Sequence, residues 1–126
     1  MNKLLLALLL STNIAYADVL PNSALTPGVA RDVTKETLCT TSTKLVRHTS
    51  QATKDAVYKE YGITPRHAPE CTGPSHSCAE IDHRLAIEDS GADDITNLWP
   101  ELYDITCDAH INDRLENLVH TNICVG

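Results

Sequence analysis

Ile81-Asp82-His83-Arg84-Leu85-Ala86-Ile87, followed by Glu88-Asp89-Ser90-Gly91-Ala92-Asp93-Asp94 and then Ile95-Thr96-Asn97-Leu98-Trp99-Pro100, is the stretch whose reading decides the fold. In its first part Ile81, His83, Leu85 and Ile87 alternate with Asp82, Arg84 and Ala86, and a period of two indicates a strand. The polar segment from Glu88 to Asp94, with Gly91 inside it, reads as a turn. Ile95 to Trp99 reads as a second short strand, ended by Pro100. Further on, Ile111, Leu115, Leu118 and Val119 fall at i, i+4, i+7 and i+8, the spacing of an amphipathic helix with Asp108 as its cap. The order is strand, turn, strand, helix.

Upstream, Thr37 to Val46 is rich in Thr and Val and reads as a strand. Ser50 to Tyr61 reads as a helix: Thr49 or Ser50 can cap it, Thr53, Val57 and Tyr61 recur every four residues, and Gly62 with Pro65 stops it. Its outer face carries Lys54 and Lys59, which a solvated surface would explain equally well. Pro65 to Ser77 is a loop holding His67 and His76. No internal repeat, low-complexity tract or second domain interrupts this order.

Met1-Asn2-Lys3, the apolar run Leu4 to Leu10, and Ala15-Tyr16-Ala17 have the layout of a signal peptide cleaved before Asp18. The apolar run is too short to span a bilayer, and no second one suggests an anchor. The expectation is an exported protein, periplasmic or secreted, with no membrane segment in its mature form. Residues 18–36 then form an extended arm with little functional content, and residues 37–126 form the domain, its core motif at 79–121.

All five cysteines, Cys39, Cys71, Cys78, Cys107 and Cys124, lie in the exported part, where disulfides persist. Two bridges and one free thiol are expected, and spacing alone does not settle the pairing. The preferred set is Cys39 with Cys124, tying both ends of the domain, and Cys71 with Cys78 across a loop containing Gly73-Pro74.

Charge is placed unevenly along the chain, whose net charge is −7. Residues 18–79 hold seven Lys and Arg against six acids, a net of +1, whereas residues 80–116 hold eleven acids against Arg84 and Arg114, a net of −9. Such a balance argues against tight nucleic-acid binding, which wants a positive surface, and favours divalent cations. Any contact with a phosphate backbone must come mainly from cations within residues 31–66, Lys54 and Lys59 among them, with Arg84 and Arg114 beside the acidic stretch.

Glu80-Ile81-Asp82-His83, Asn97-Leu98-Trp99-Pro100 and Ala109-His110-Ile111-Asn112-Asp113-Arg114-Leu115-Glu116-Asn117 together resemble the exported branch of the HNH endonuclease-like proteins. The resemblance is strong across residues 79–124 and weaker over 29–61. It implies an α+β fold, a ββα-metal (HNH-type) unit preceded by an N-terminal strand and helix and stabilised by disulfides. The activity it implies is metal-dependent hydrolysis of phosphodiester bonds, with DNA as the nucleic-acid substrate.

Cleaving a phosphodiester needs an activated water, neutralised charge on the phosphorane and a stabilised leaving oxygen, and one divalent ion plus a general base can supply all three. The resemblance makes His83 the base; an unperturbed imidazole titrates at about 6.5 and is mostly neutral at neutral pH. It makes Asp82 and His110 ligands of one divalent metal ion, Mg²⁺, Mn²⁺, Ni²⁺ or Zn²⁺. Asn97 would fix either the loop or the ring of His83. In a regular strand Asp82 and His83 point to opposite faces, so serving one site requires a twist or bulge there. Two departures from the family are visible: Ser90-Gly91 stands where paired glycines are usual, and the sequence stops at Cys124-Val125-Gly126 where many relatives continue with another helical segment.

Plainer readings stand beside these. Singly, Asp82, Asn97 and His110 suit a surface carboxylate, a turn residue and a helix-end polar group, and Trp99 suits the core. His48, His67 and His120 suit surface or loop positions, and His76 is close enough in sequence to be an outer ligand. A structural zinc site from Cys107-x-x-His110 with Cys71 and Cys78 competes for the same residues. Two further readings from other classes remain: an inactive disulfide-stabilised binding or structural module on the same scaffold, and an acidic inhibitory partner of a basic protein.

Overall fold

The computed structural model describes residues 20–63, 79–103 and 109–126. The signal-peptide reading, the Cys71–Cys78 pairing, His67, His76, Cys107 and the Asp108 cap lie outside the described residues. Helix α1 spans Lys35–Thr40, α2 Gln51–Glu60 and α3 Ala109–Val125; strands β1, Ala79–His83, and β2, Leu98–Leu102, form one antiparallel sheet. Single 3-10 turns occupy Thr43–Leu45, Ile87–Asp89 and Ile95–Asn97. The described architecture is a small α+β fold with one disulfide. Among the described residues no helix is long and apolar enough to cross a membrane.

Instead of a strand over Thr37 to Val46, the chain makes α1 and a 3-10 turn, because local caps outweigh β propensity there. The Thr34 side chain accepts from the Thr37 amide to start α1, and Ser42 accepts from Lys44 to start the turn. Helix α2 agrees with its reading: Ser50 caps it through the Thr53 amide, and Gly62, at φ +66°, follows its end.

Both strands end differently from the alternation pattern. β1 stops at His83, and the pattern continuing to Ile87 is a bend and a 3-10 turn. β2 starts only at Leu98 and runs through Pro100, which pairs with Ile81. The amide of Arg84 donates to Asn97 O, and alternation from that pair puts Ile81 and Pro100 at a non-hydrogen-bonded position. Pro100 therefore forgoes no ladder bond.

The arm is no loose tail. Thr26 Oγ1 donates to Leu98 O and lies 2.6 Å from Tyr61 Oη; Gly28 donates to Thr96 O, Ala92 to Val29 O, and Ala30 bridges Gly91. Arg31 ties the same loop through Gly91 O and Ile87 O. Gly91 is obligatory, since a Cβ there would sit 1.7 Å from Leu85 O.

The apolar core is small: Tyr58, Ala79 and Leu102, with Ile63 and Ile81 packed against them, join α2 to β2. Helix α3 contributes little to it. Its predicted apolar stripe, Ile111, Leu115, Leu118 and Val119, faces outward, with Leu115 57% and Leu118 58% exposed. Asn112, Glu116, His120 and Cys124 are part-buried at i, i+4, i+8 and i+12, beside part-buried Ile123 and buried Ala109. The inward stripe of α3 is thus largely polar, and His120 is not a surface histidine: its ring meets Glu88 O at 2.6 Å. The Cys39–Cys124 disulfide, expected from the sequence, fastens α3 to α1.

Candidate functional site

The site grows from the end of β1. Asp82 pairs with Trp99 and His83 with Leu98 in unbroken register. No bulge is present; the chain bends immediately after His83. Within the regular strand end Asp82 Oδ1 and His83 Nδ1 still lie 4.0 Å apart, and both residues line one chamber.

His83 is buried, its side chain 3% exposed, and its Nε2 lies 2.8 Å from Asp93 Oδ1. Asp93 also accepts from the Thr49 hydroxyl and the His48 amide. Burial works against the charge of Asp93, but the bonds from Thr49, His48 and His83 outweigh it and hold this carboxyl below its usual range. An ionised Asp93 has no proton to give, so Nε2 must donate. In the neutral ring Nδ1 then carries the lone pair, and Nδ1 is the buried atom left without a partner. Asp93 was missed in the sequence, where it reads as one polar residue of a turn.

Asn97 is fully buried and acts on the loop, not on the ring. Its Nδ2 donates to Leu85 O and Ala92 O, and its Oδ1 accepts from the amides of Leu85 and Val29. Through these bonds Asn97 closes the loop that carries Asp93 back onto the end of β1.

Carboxyls gather on the other side of Asp82. Glu101, buried on β2, is pushed up to about 9, by burial first and then by its hydrogen bond and charge interaction with Asp82. Both effects favour its neutral form beside Asp82. Glu116 is pushed up to about 8, by burial and then by Asp82 and Glu88. Glu116, Glu88, Arg47 and Thr43 line, with Asp82 and His83, a chamber of about 50 Å³. On its opposite side His83 borders a larger groove of about 450 Å³ walled by Leu20, Trp99, Ile111 and Leu115, with Arg84 at its edge.

His110 does not join the site. It is exposed at the start of α3, its ring 5.8 Å from that of Tyr103. Among the described residues no three His, Cys, Asp or Glu side chains stand close enough to cage a metal ion. The donor set at Asp82 nevertheless suits a hard cation in part, because Asp82 Oδ2 is buried and has no hydrogen-bond partner. Of the expected phosphate contacts, Arg84 is at the groove, its Nη1 donating to Thr26 O and Ser23 Oγ. Arg114, Lys54 and Lys59 line neither the groove nor the chamber, whereas Arg47 lines the chamber.

What the fold and site define is a small disulfide-bridged α+β domain with a buried His83 between part-buried Asp82 and Asp93 at a strand end. No family model, curated protein or solved structure matches the chain.

Proposed function

We propose that the protein is an exported, metal-dependent phosphodiesterase of HNH type that nicks DNA, with His83 as its general base. The single observation that carries this reading is the state of the His83 ring: buried, fixed at Nε2 by Asp93, with Nδ1 unpartnered toward Asp82. A general base needs a free lone pair, and an orienting carboxylate on its other nitrogen keeps that lone pair aimed. In this account Nδ1 takes the proton of the attacking water, while Asp93 stabilises the imidazolium that forms. Asn97 holds the Asp93 loop against β1, and Arg84 stands at the groove where a phosphate would enter. A divalent ion, when bound, would supply charge neutralisation on the phosphorane, with Asp82 as one of its ligands.

The second reading, a binding module without turnover, is favoured by the net of −9 over residues 80–116 and by the outward apolar face of α3. Plasmid nicking by the oxidised protein with Mg²⁺, Mn²⁺, Ni²⁺ and Zn²⁺ in turn, against a chelated control, separates the two. The nuclease reading expects chelator-sensitive nicking with at least one ion. The binding-module reading expects none with any.

A further inference from the structure

We propose that the divalent cation is held in the chamber between β1 and α3 by the carboxylates of Asp82 and Glu116, so that Glu116 takes the ligand position that the sequence assigns to His110. The proposal rests on the metal dependence in the functional reading, and it concerns which residues of this chain meet the ion.

Helix geometry gives the first reason. Residues six apart on an α-helix are separated by about 1.7 turns, so they lie roughly 120° apart around its axis. Glu116 faces inward and lines the chamber with Asp82, and His110 is therefore turned away, consistent with its exposure. No rotation of α3 brings both to Asp82 together.

The chamber itself supplies the second reason. Three acidic side chains, Asp82, Glu88 and Glu116, line about 50 Å³, with Arg47 as the one cation among the lining residues. That volume holds an ion with one or two waters, given that a water needs at least about 10–15 Å³. Asn112 Nδ2 donates to Glu116 Oε1 at 3.1 Å and holds the carboxylate on the inward stripe.

A third reason is independent of the acids. The buried His83 side chain, 3% exposed, turns its unpartnered Nδ1 toward Asp82, whose Oδ2 is unpartnered as well. Two neighbouring residues of the chamber wall thus each keep a buried acceptor without a donor, a deficit that a cation with its waters would relieve. Two carboxylates completed by water form the kind of site that Mg²⁺ accepts, whereas structural Zn²⁺ wants four protein donors.

The test is isothermal calorimetry of Mn²⁺, used as the Mg²⁺ surrogate, binding to the oxidised protein and to Glu116→Gln and His110→Ala. Circular dichroism and the metal-free melting temperature verify that each variant is folded. Glu116→Gln should weaken Mn²⁺ binding by at least ~10-fold, at or beyond what loss of an outer-shell partner costs, and His110→Ala should leave it within about twofold. Should Glu116→Gln prove unfolded, Mn²⁺ broadening of wild-type NMR signals decides instead. Broadening centred on Glu116 and Asp82 supports the proposal, and broadening centred on His110 overturns it. Wild type that binds no Mn²⁺, or binding lost in His110→Ala and kept in Glu116→Gln, also overturns it. Nicking is scored separately: Glu116-dependent binding without nicking would remove the nuclease reading and leave this assignment, whereas nicking supported by a His110-dependent ion would do the reverse.

Discussion

Removing the Cys39–Cys124 bridge should cost this domain a large share of its stability, because little else holds α3. The bridge joins residues 85 apart in sequence, and closing a loop of that length removes unfolded-state entropy worth about 4.6 kcal/mol at 25 °C in the chain-entropy treatment. Burial is poorly placed to compensate. The inward stripe of α3 is Asn112, Glu116, His120 and Cys124, its apolar burial is limited to Ala109 and part-buried Ile123, and Leu115 and Leu118 are exposed. Small domains have only about 5–15 kcal/mol of stability in total, so a Cys39→Ser, Cys124→Ser double variant should be close to unfolding at room temperature. The chain's single tryptophan, Trp99, is 5% exposed and reports the transition by fluorescence during urea titration. The expected result is a stability loss of about 3–5 kcal/mol with a slope no shallower than wild type, because the uncrosslinked unfolded chain exposes more surface. A loss below about 1 kcal/mol would show that α3 is secured by packing, and the argument from its polar inner face would be wrong.

Three other outcomes follow from the site. Asn97→Ala strips partners from Leu85 O, Ala92 O and the Leu85 amide; it should cost about 3 kcal/mol in urea unfolding, and a change under 1 kcal/mol would show that water replaces the amide. Glu101 and Glu116, at about 9 and about 8 against an ordinary 4.5, bind more protons folded than unfolded between those values. Stability is therefore fully present below the ordinary value and lost as pH rises toward the folded ones, so metal-free protein in chelator should melt at a higher temperature near about pH 5.5 than near about pH 8.5; the opposite order would contradict the burial of both carboxyls. In the neutral His83 ring, nitrogen-15 NMR should find the proton on Nε2, and Asp93→Asn should disturb that preference; a proton resident on Nδ1 in wild type would place the lone pair on the wrong side.

Local chemistry was legible in the sequence and long-range chemistry was not. Ser50 and Gly62 bound α2 as their types require, and the strand, turn, strand, helix order holds in outline. Thr37 to Val46 misled because composition favoured a strand while the Thr34 and Ser42 caps act at single positions. A Thr three residues before another at a helix start was the available signal. The alternation in 81–87 ran past the real strand end because an apolar residue in a 3-10 turn, such as Ile87, is buried for a different reason. Periodicity identified α3 but not its direction: an apolar stripe ordinarily faces the core, whereas here it is exposed and Glu116 lines the chamber with Asp82. Asp93 carried no local mark at all. Its role depends on the Asn97 clamp that folds the turn back beneath His83, a contact no spacing rule encodes.

The most direct test of the account is the single-turnover nicking rate of His83→Ala beside wild type, both in saturating metal and both verified as oxidised and folded. The account predicts measurable nicking by wild type and a loss of at least about 10²-fold in His83→Ala, the lower range for general-base catalysis. Nicking by His83→Ala at the wild-type rate would contradict it.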